Sequence, residues 1–318
     1  MGQGDASEVS DGYQSRYTAD VDLSNPNDPH VLAVGRVPAR SEVLDLGAAD
    51  GSMAAVLRRM GCKVWGVELD DESARQARHH CEEVVVGDLN TLQLSDAFKG
   101  RQFDVVLMLD VLEHLVDPVG VLRGAVSVLK PSGWAVISLP NVTHISVRLA
   151  LLGGRFTYTD VGLLDRTHLR FFDSDGVMEL LEQAGWESME SVRVTRRLGT
   201  TEIDVDVDPR VFGDLEHDPN ALTYQFLLMA APKGSKVLDD PPLLPAAVAQ
   251  RVLLELNPDG ERTITSPLVS QVWDQLQRIR DGSLARRGHL KNLVSTLSEN
   301  SERIAITLAE IGEGTRGK

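Results

Sequence analysis

The sequence predicts an α/β protein with a seven-stranded, mostly parallel sheet, helices on both of its faces, and a helical C-terminal extension. From residue 41 onward, short apolar runs alternate with segments whose apolar residues recur at helical spacing. The runs are continuous and do not alternate with polar residues, which is typical of parallel strands covered on both faces. A chain of 318 residues, 42% of them hydrophobic, is long enough to bury a full core.

The elements follow from this alternation. The first five strands are predicted at residues 43–46, 64–67, 84–86, 103–109 and 134–139, and the helices between them at 52–60, 71–80 and 119–129. A further helix is predicted over 173–184, with Asp173 or Ser174 as its N-cap and Gly185 at its C-terminal end. Two more strands are expected near 187–196 and 222–230, which completes the sheet.

Three regions are predicted along the chain. Residues 1–40 are polar and turn-rich and are interpreted as an N-terminal lid or arm, and residues 41–235 form the main domain. Residues 236–318 are interpreted as a linker followed by a helical region, because prolines cluster after Ala231. Leu290, Leu297, Ile304 and Ile311 then recur every seven residues. This pattern suits either an amphipathic helix packed on the main domain or a helical element that joins a homo-oligomer.

Charge and composition exclude several classes of partner. Acids outnumber bases 47 to 32, and the net charge of -15 argues against nucleic acid and against an anionic membrane surface. No run approaches the roughly 18 apolar residues that a membrane span needs. The chain has only Cys62 and Cys81, and its first 30 residues lack the apolar segment of a signal peptide. A cytoplasmic protein with a small-molecule or glycan partner is therefore expected.

The strongest motif is VLDLGAADG at residues 43–51, a buried strand that ends in a glycine-bearing turn before a helix. Gly47 and Gly51 permit tight turning and a close approach of the backbone to a ligand. The next two strands end in acids, Glu68 in GVELD and Asp88 in GDL. Ligands bind at this end of an open parallel sheet, where an acid can accept hydrogen bonds from ribose hydroxyls. The chain lacks the dinucleotide and P-loop patterns, G-x-G-x-x-G and G-x-x-x-x-G-K-[ST], after these strands.

The ordered motifs LDLGAADG, GVELD, GDL, FDVVLMLDVLEHLVDP and LKPSGWAVISLPN resemble those of class I S-adenosylmethionine-dependent methyltransferases. The resemblance covers about residues 41–231 and implies a Rossmann-like fold with S-adenosylmethionine as cofactor. It implies that the methionine part lies near Asp45, Gly47 and Gly51, the ribose near Glu68, and the adenine near Asp88 and Leu89, with Leu109 near the sulfonium. Ala48 and Leu69 complete this part of the implied set. The turn Ala48-Ala49-Asp50-Gly51 departs from the family's Gly-x-Gly pattern, but both alanines are small.

A narrower resemblance involves YQSRYTADVDLSNPNDPH and LLGGRFTYTDVGLLDRTHLRFFD. These segments look like those of a bacterial subgroup of small-molecule or glycan O-methyltransferases. The resemblance implies that the N-terminal segment around Tyr17 and His30 closes over the cofactor. An ordered N-terminal arm without ligand contact is the alternative.

Candidate catalytic residues follow the fourth strand. Asp110, Glu113 and His114 share one face if the segment forms a helical turn, and His168 comes from a distant loop. The four side chains suit a mixed oxygen and nitrogen site for Mg²⁺ or another divalent metal. The order is similar to the E-x-x-E-H motif of ubiquinone-biosynthesis O-methyltransferases, with Asp in place of the first Glu. In the alternative, no metal is bound and His114, His168 and Asp110 supply the acid–base chemistry.

The predicted function is O-methyl transfer from S-adenosylmethionine to a hydroxyl group of a sugar, glycan or other small molecule. N-methylation of an amino sugar or amine is one alternative. A non-catalytic cofactor-binding scaffold whose helical tail recruits a partner is another. Outside the site, His144 is expected to face solvent, Arg166 to pair with a nearby acid, and the acidic stretch 201–218 to form a solvated loop or edge.

Overall fold

The computed structural model describes residues 27–205, 218, 220–239 and 241–242. Its seven-stranded sheet has the order β3-β2-β1-β4-β5-β7-β6. The strands are β1 (Glu42–Leu46), β2 (Lys63–Glu68), β3 (Glu83–Val86), β4 (Phe103–Leu109), β5 (Leu129–Pro140), β6 (Trp186–Thr195) and β7 (Thr223–Pro232). Neighbours among β1 to β5 are parallel, whereas β7 is antiparallel to both β5 and β6. The predicted mostly parallel sheet is confirmed.

Eight α-helices lie within the described residues. They are α1 (Pro29–Val34), α2 (Ser52–Arg59), α3 (Asp71–Ala77), α4 (Leu94–Ala97), α5 (Pro118–Ala125), α6 (Ile145–Leu152), α7 (Ser174–Ala184) and α8 (Lys236–Asp239). The ends of α7 are as predicted, because Asp173 accepts a hydrogen bond from the Gly176 N–H and Gly185 adopts a left-handed conformation. The predictions did not include α1, α4, α6 or α8. No helix of the described residues is both long and apolar enough to span a bilayer.

The core occupies both faces of the sheet, which explains the continuous apolar runs. Successive side chains of a strand point to opposite faces, so Val105 and Val106 of β4 are both fully buried but in different clusters. Residues of α4, α5 and α7 pack on the face of Val106, and residues of α1, α2 and α8 pack on the face of Val105. The sheet is therefore sandwiched between two layers of helices.

The N-terminal helix α1 packs against the main domain. The Asp28 carboxylate caps it by accepting hydrogen bonds from the His30 and Val31 N–H groups. Leu32 and Ala33 are fully buried on the sheet. Tyr17, most of the predicted linker and the predicted C-terminal heptads lie outside the described residues.

The topology places a cleft above the carboxyl end of β1. The chain runs outward from β1 through β2 to β3 and then returns to form β4 on the other side of β1. Helices that follow β1 and β4 therefore diverge, and the opening between them is the switch point at which open α/β sheets bind ligands.

Gly51 links two elements of this cleft by close packing. It caps α2 with a φ of 84°, and a Cβ atom at this position would lie 2.8 Å from the Ala77 Cα of α3. We expect Gly51→Ala to lower the free energy of unfolding by roughly 2–4 kcal/mol, because left-handed strain adds to a backbone clash. Urea denaturation of both proteins measures the difference.

Two glycines outside the cleft serve as matched controls for this substitution. At Gly124 of α5 an added Cβ meets nothing within 4 Å, so Gly124→Ala is expected to be neutral or to stabilise by up to about 1 kcal/mol. Gly185 also has space but has a φ of 77°, so Gly185→Ala reports the conformational strain alone. Equal losses for Gly51→Ala and Gly185→Ala would contradict a packing role for Gly51.

Candidate active site

A cavity of about 790 Å³ lies at the carboxyl ends of β1, β2 and β4. Nine of the eleven residues predicted to bind the cofactor line it: His30, Asp45, Gly47, Ala48, Glu68, Leu69, Asp88, Leu89 and Leu109. Gly51 is not among the lining residues. Because it has no side chain, α3 can pack closely against it. The acids at the ends of three successive strands, Asp45, Glu68 and Asp88, thus line the same cavity.

The Glu68 carboxylate connects the two loops that follow β1 and β2 at the cavity. Its Oε2 accepts a hydrogen bond of 2.8 Å from the Ala49 N–H, in the turn after β1. Its Oε1 accepts hydrogen bonds from the N–H groups of Leu69, at 2.9 Å, and Asp70, at 3.0 Å. Ala49 has a φ of 45°, so Glu68 also holds a turn that the backbone would not favour by itself.

Asp45 and His30 both line the cavity and interact electrostatically. Burial raises the pKa of the Asp45 carboxyl to about 7, with His30 opposing the shift and Glu68 adding to it. Burial would lower the pKa of His30, but its hydrogen bond with Asp28 and the charges of Asp110 and Asp45 raise it overall. His30 Nδ1 lies 3.3 Å from Asp28 Oδ1. The cap of α1 therefore favours a positive charge on His30.

Glu113, His114 and His168 form a cluster beside the cavity. Their nearest ligand-type atoms all lie within 4.8 Å of one another, and the two imidazole rings meet edge to face with centroids 4.8 Å apart. The N–H groups of Leu169 and Arg170 both donate to the Glu113 carbonyl, which fixes the distant loop against the end of β4. His114 lines the cavity and connects it to the cluster.

Both buried groups of the cluster favour their neutral forms. Burial raises the pKa of the Glu113 carboxyl well above its ordinary value, and the negative charge of Asp110 adds to this effect. Burial and the neighbouring His114 lower the pKa of His168. Within the described residues, Glu113 Oε2 is buried without a hydrogen-bond partner. A neutral imidazole next to a cavity can accept a proton.

Comparison with known proteins identifies the family. A family described as a methyltransferase domain matches residues 24–191, more than half of the chain. The chain belongs to this methyltransferase family. Together with the motifs, the match makes the protein a class I S-adenosylmethionine-dependent methyltransferase.

Two curated relatives are named as ubiquinone biosynthesis O-methyltransferases. The protein of Ruegeria pomeroyi is 30% identical over 50% of this chain and 65% of its own length. That of Albidiferax ferrireducens is 34% identical over 37% of this chain and 48% of its own length. The methyltransferase therefore matches about half to two thirds of the length of these relatives.

Solved structures give weaker similarities. A methyltransferase of Archaeoglobus fulgidus has 19% identity and a TM-score of 0.47, covering 64% of this chain and 94% of its own. One of Aquifex aeolicus has 17% identity and a TM-score of 0.43, covering 66% and 93%. Family membership rests on the sequence match.

The sequence predicts that Asp110, Glu113 and His114 share one face of a helical turn. This prediction is wrong for Asp110. Asp110 has a φ of 55°, and the following turn is a short 3-10 helix, Leu112–His114. The ligand-type cluster of the methyltransferase accordingly lacks Asp110. Its Oδ1 instead accepts hydrogen bonds from Ser138 Oγ, at 2.8 Å, and from Gln225 Nε2.

Ser138 and Gln225 are not among the residues that the sequence motifs indicate. Each is a buried polar residue in an otherwise apolar strand, Ser138 in β5 and Gln225 in β7. A polar side chain at such a position needs a hydrogen-bond partner, and this is the signal that marks it. Gln225 lies at the start of β7, and the antiparallel direction of this strand brings that start to the carboxyl end of β5.

One interpretation outside the cavity is wrong, and another is tested only in part. His144 is fully buried, not solvent-facing, because its Nδ1 lies 2.8 Å from Ser146 Oγ and its Nε2 lies 2.9 Å from the Arg196 carbonyl. Within the acidic stretch, Glu202 accepts hydrogen bonds from the Leu163 N–H and the Tyr224 hydroxyl and therefore holds a loop. Residues 206–217 of that stretch lie outside the described residues. Arg166 pairs with Asp160 at 2.6 Å, as predicted.

The raised pKa of Asp45 makes the stability of the methyltransferase dependent on pH. Asp45 binds its proton up to about pH 7 in the folded chain, whereas the unfolded chain releases it near the ordinary value of 3.8. The free energy of unfolding should therefore fall as pH rises through this interval. We expect Asp45→Asn to reduce the loss between pH 5 and pH 8 by roughly 2 kcal/mol.

Urea denaturation of the ligand-free proteins at both pH values measures this difference. Asp96→Asn is a suitable control, because Asp96 lies on the exposed side of α4. Its pH dependence should match that of the wild type. Parallel profiles for Asp45→Asn and the wild type would contradict the assignment.

Proposed function

We propose that the methyltransferase transfers a methyl group from S-adenosylmethionine to a hydroxyl group of a small molecule. The observation that carries the proposal is the Glu113, His114 and His168 cluster, which adjoins the cavity through His114. A hydroxyl group is a poor nucleophile until its proton is removed, so a basic or metal-binding group beside the methyl donor is the expected feature.

The cavity suits the cofactor in its chemistry. S-adenosylmethionine supplies an activated methyl group on a positively charged sulfur. Glu68 would hold the ribose hydroxyls and Asp88 the adenine amino group, as the motifs imply. Exposed Leu69 lines the same wall and offers an apolar surface for a base. Asp45, which also lines the cavity, would lie near the methionine part, as the motifs imply.

His168 is proposed as the group that accepts the proton of the acceptor hydroxyl. Its side chain is only 6% exposed, so bulk water does not compete strongly for it. Its ring contacts His114 at the wall of the cavity. Positioning of the hydroxyl beside a fixed base supplies catalysis by both orientation and proton transfer.

A divalent metal at the cluster is the second candidate. Glu113 Oε2, the buried acceptor that lacks a partner among the described residues, would gain one in the ion. Glu113, His114 and His168 would be its protein ligands, and Asp110 would stay with Ser138 and Gln225. The metal would polarise the acceptor hydroxyl.

The acceptor is proposed only as a hydroxylated small molecule. The names of the relatives support O-methyl transfer, whereas they give no support for the sugar or glycan expected from the sequence. Substrate loops vary on a common fold, so the acceptor has to be found by experiment.

Isothermal titration with S-adenosylhomocysteine, followed by mass spectrometry of hydroxylated compounds incubated with S-adenosylmethionine, tests the function. We expect binding of the product cofactor and a mass gain of one CH2 unit on an oxygen. A folded protein that binds no S-adenosylhomocysteine would refute the proposal. Methylation only of amines would replace it by N-methyl transfer.

A further inference from the structure

The charged residues that line the cofactor cavity, among those that the structure describes, include acids but no lysine or arginine. The acids are Asp45, Asp50, Glu68, Asp70, Asp88 and Asp110. S-adenosylmethionine carries a positive charge on its sulfur, whereas the sulfur of S-adenosylhomocysteine, the product cofactor, is neutral. An ionised acid next to the sulfur would therefore bind the two cofactors with different strength.

Five of these acids have another role or only part of a charge. Asp50, Asp70 and Asp88 accept hydrogen bonds from residues two or three positions further along the chain, so each holds its own turn. Glu68 accepts hydrogen bonds from the N–H groups of two loops. Burial raises the pKa of the Asp45 carboxyl to about 7, so this acid is only partly ionised at neutral pH.

Asp110 differs because buried side chains from two other strands hold its carboxylate. Ser138 Oγ accepts a hydrogen bond of 2.9 Å from the Asp110 N–H and donates one of 2.8 Å to Asp110 Oδ1. Gln225 Nε2 donates to the same oxygen. Ser138 is fully buried in β5 and Gln225 is 5% exposed in β7, so the sheet fixes both donors. Two donors on one oxygen suit an ionised carboxylate.

The backbone at Asp110 is also unusual. Its φ of 55° is a conformation that residues other than glycine rarely adopt. Such strain persists where the surrounding structure holds it, and it is concentrated at functional sites. Asp110 directly follows Leu109, which the motifs place near the sulfonium, and both residues line the cavity. The fixed carboxylate therefore belongs to the part of the wall that the motifs assign to the sulfur.

The negative charge of Asp110 acts on groups from two different elements. Burial is the main reason why the pKa of the Glu113 carboxyl is raised, and the charge of Asp110 adds to this effect. His30 of α1 is subject to burial and to its hydrogen bond with Asp28, and the charge of Asp110 contributes to its raised pKa. The same charge would act on a positive ligand in the cavity.

We propose that Asp110 determines specificity between the two forms of the cofactor. Its carboxylate, fixed by Ser138 and Gln225, attracts the positive sulfur of S-adenosylmethionine and raises the affinity for this cofactor relative to that for S-adenosylhomocysteine. The neutral sulfur of the product gains nothing from this charge, so the site favours the exchange of product for new cofactor. The inference does not depend on the class of methyl acceptor, because both cofactors can be titrated without one.

Isothermal titration of the full chain with S-adenosylmethionine and with S-adenosylhomocysteine tests the proposal. Asp110→Asn should lower the affinity for the first relative to the second by roughly ten-fold, because an opposite charge within a few ångströms has an effect of this order. The affinity for S-adenosylhomocysteine should stay within about two-fold, since Asn has nearly the same size and its Oδ1 can still accept both hydrogen bonds. Sinefungin, which carries an ammonium group in place of the sulfonium, should behave as S-adenosylmethionine does.

Two further variants separate charge from structure. Asp88→Asn removes the same charge from the adenine end of the cavity, so it should change both affinities by the same factor. Gln225→Met keeps the approximate size of the side chain but removes the donor to Asp110, and it should lower the relative affinity by about three-fold. Circular dichroism checks that each variant is folded.

Equal weakening of both cofactors by Asp110→Asn would make Asp110 a structural support and overturn the inference. Unchanged affinities for both would also overturn it. If Asp110→Asn does not fold, Gln225→Met decides, because an unchanged relative affinity in that variant contradicts the proposal. Each of these failures leaves the proposed O-methyl transfer intact, whereas a folded wild type that binds neither cofactor would refute both.

Discussion

Replacement of Glu68 by Ala is expected to weaken the binding of S-adenosylhomocysteine roughly 1000-fold. Hydrogen bonds to a charged group contribute about 1.5–3 kcal/mol each, and the motif implies that this carboxylate holds the ribose hydroxyls. Ala at position 68 also removes the acceptor of the Ala49, Leu69 and Asp70 N–H groups. The loops that follow β1 and β2 would then lose the side chain that connects them. Isothermal titration measures the affinity directly.

Glu72→Ala is the matched control for Glu68→Ala. Glu72 is an acid in the first turn of α3, at the surface, where it pairs with Arg75. Its loss should leave the affinity within about two-fold, because exposed ion pairs contribute little. Circular dichroism of each variant checks that it is folded. An affinity of Glu68→Ala close to that of the wild type would show that the carboxylate does not hold the cofactor.

Replacement of His168 by Gln is expected to lower kcat by roughly 100-fold to 10,000-fold. General-base catalysis contributes about this much, and Gln retains polarity and approximate size but cannot accept the proton. The KM for S-adenosylmethionine should change little, because His168 itself does not line the cavity. Rates measured with the acceptor found by mass spectrometry give both constants.

His79→Gln serves as the control for the loss of a histidine, since His79 lies on the surface beyond α3. It should leave kcat unchanged. Treatment of the wild type with excess EDTA separates the two candidate mechanisms, and we expect activity to persist. If activity is lost and returns with Mg²⁺, Glu113, His114 and His168 are metal ligands and His168 is not the base.

Much of the cofactor cavity could be predicted because its residues are set by position along the strands. Asp45, Glu68 and Asp88 lie at or just after the ends of β1, β2 and β3, which are adjacent in the sheet. In a parallel sheet these ends share one edge, so the order of motifs in the chain becomes an order in space. The acids therefore line one cavity, as expected.

The acceptor side could not be predicted to the same extent. The positive φ of Asp110 breaks the helical turn on which the shared face depended. Its partners Ser138 and Gln225 come from β5 and β7, and Gln225 is 115 residues away along the chain. No local pattern contains such a contact. His144 likewise gains its partner, the Arg196 carbonyl, only when β6 is in place.

The sequence by itself determined the α/β class, the strand ends that carry the acids, and the grouping of His114 with Glu113. These depend on periodicity and on short spacings, which local backbone geometry translates directly into structure. Only the tertiary structure decided that His168 joins Glu113 and that Asp110 does not. The first outcome depends on long-range backbone hydrogen bonds from Leu169 and Arg170 to the Glu113 carbonyl, which exist only once the loop has folded onto the end of β4. The second depends on the positive φ of Asp110 and on its side-chain hydrogen bonds with Ser138 and Gln225, which come from other strands of the sheet.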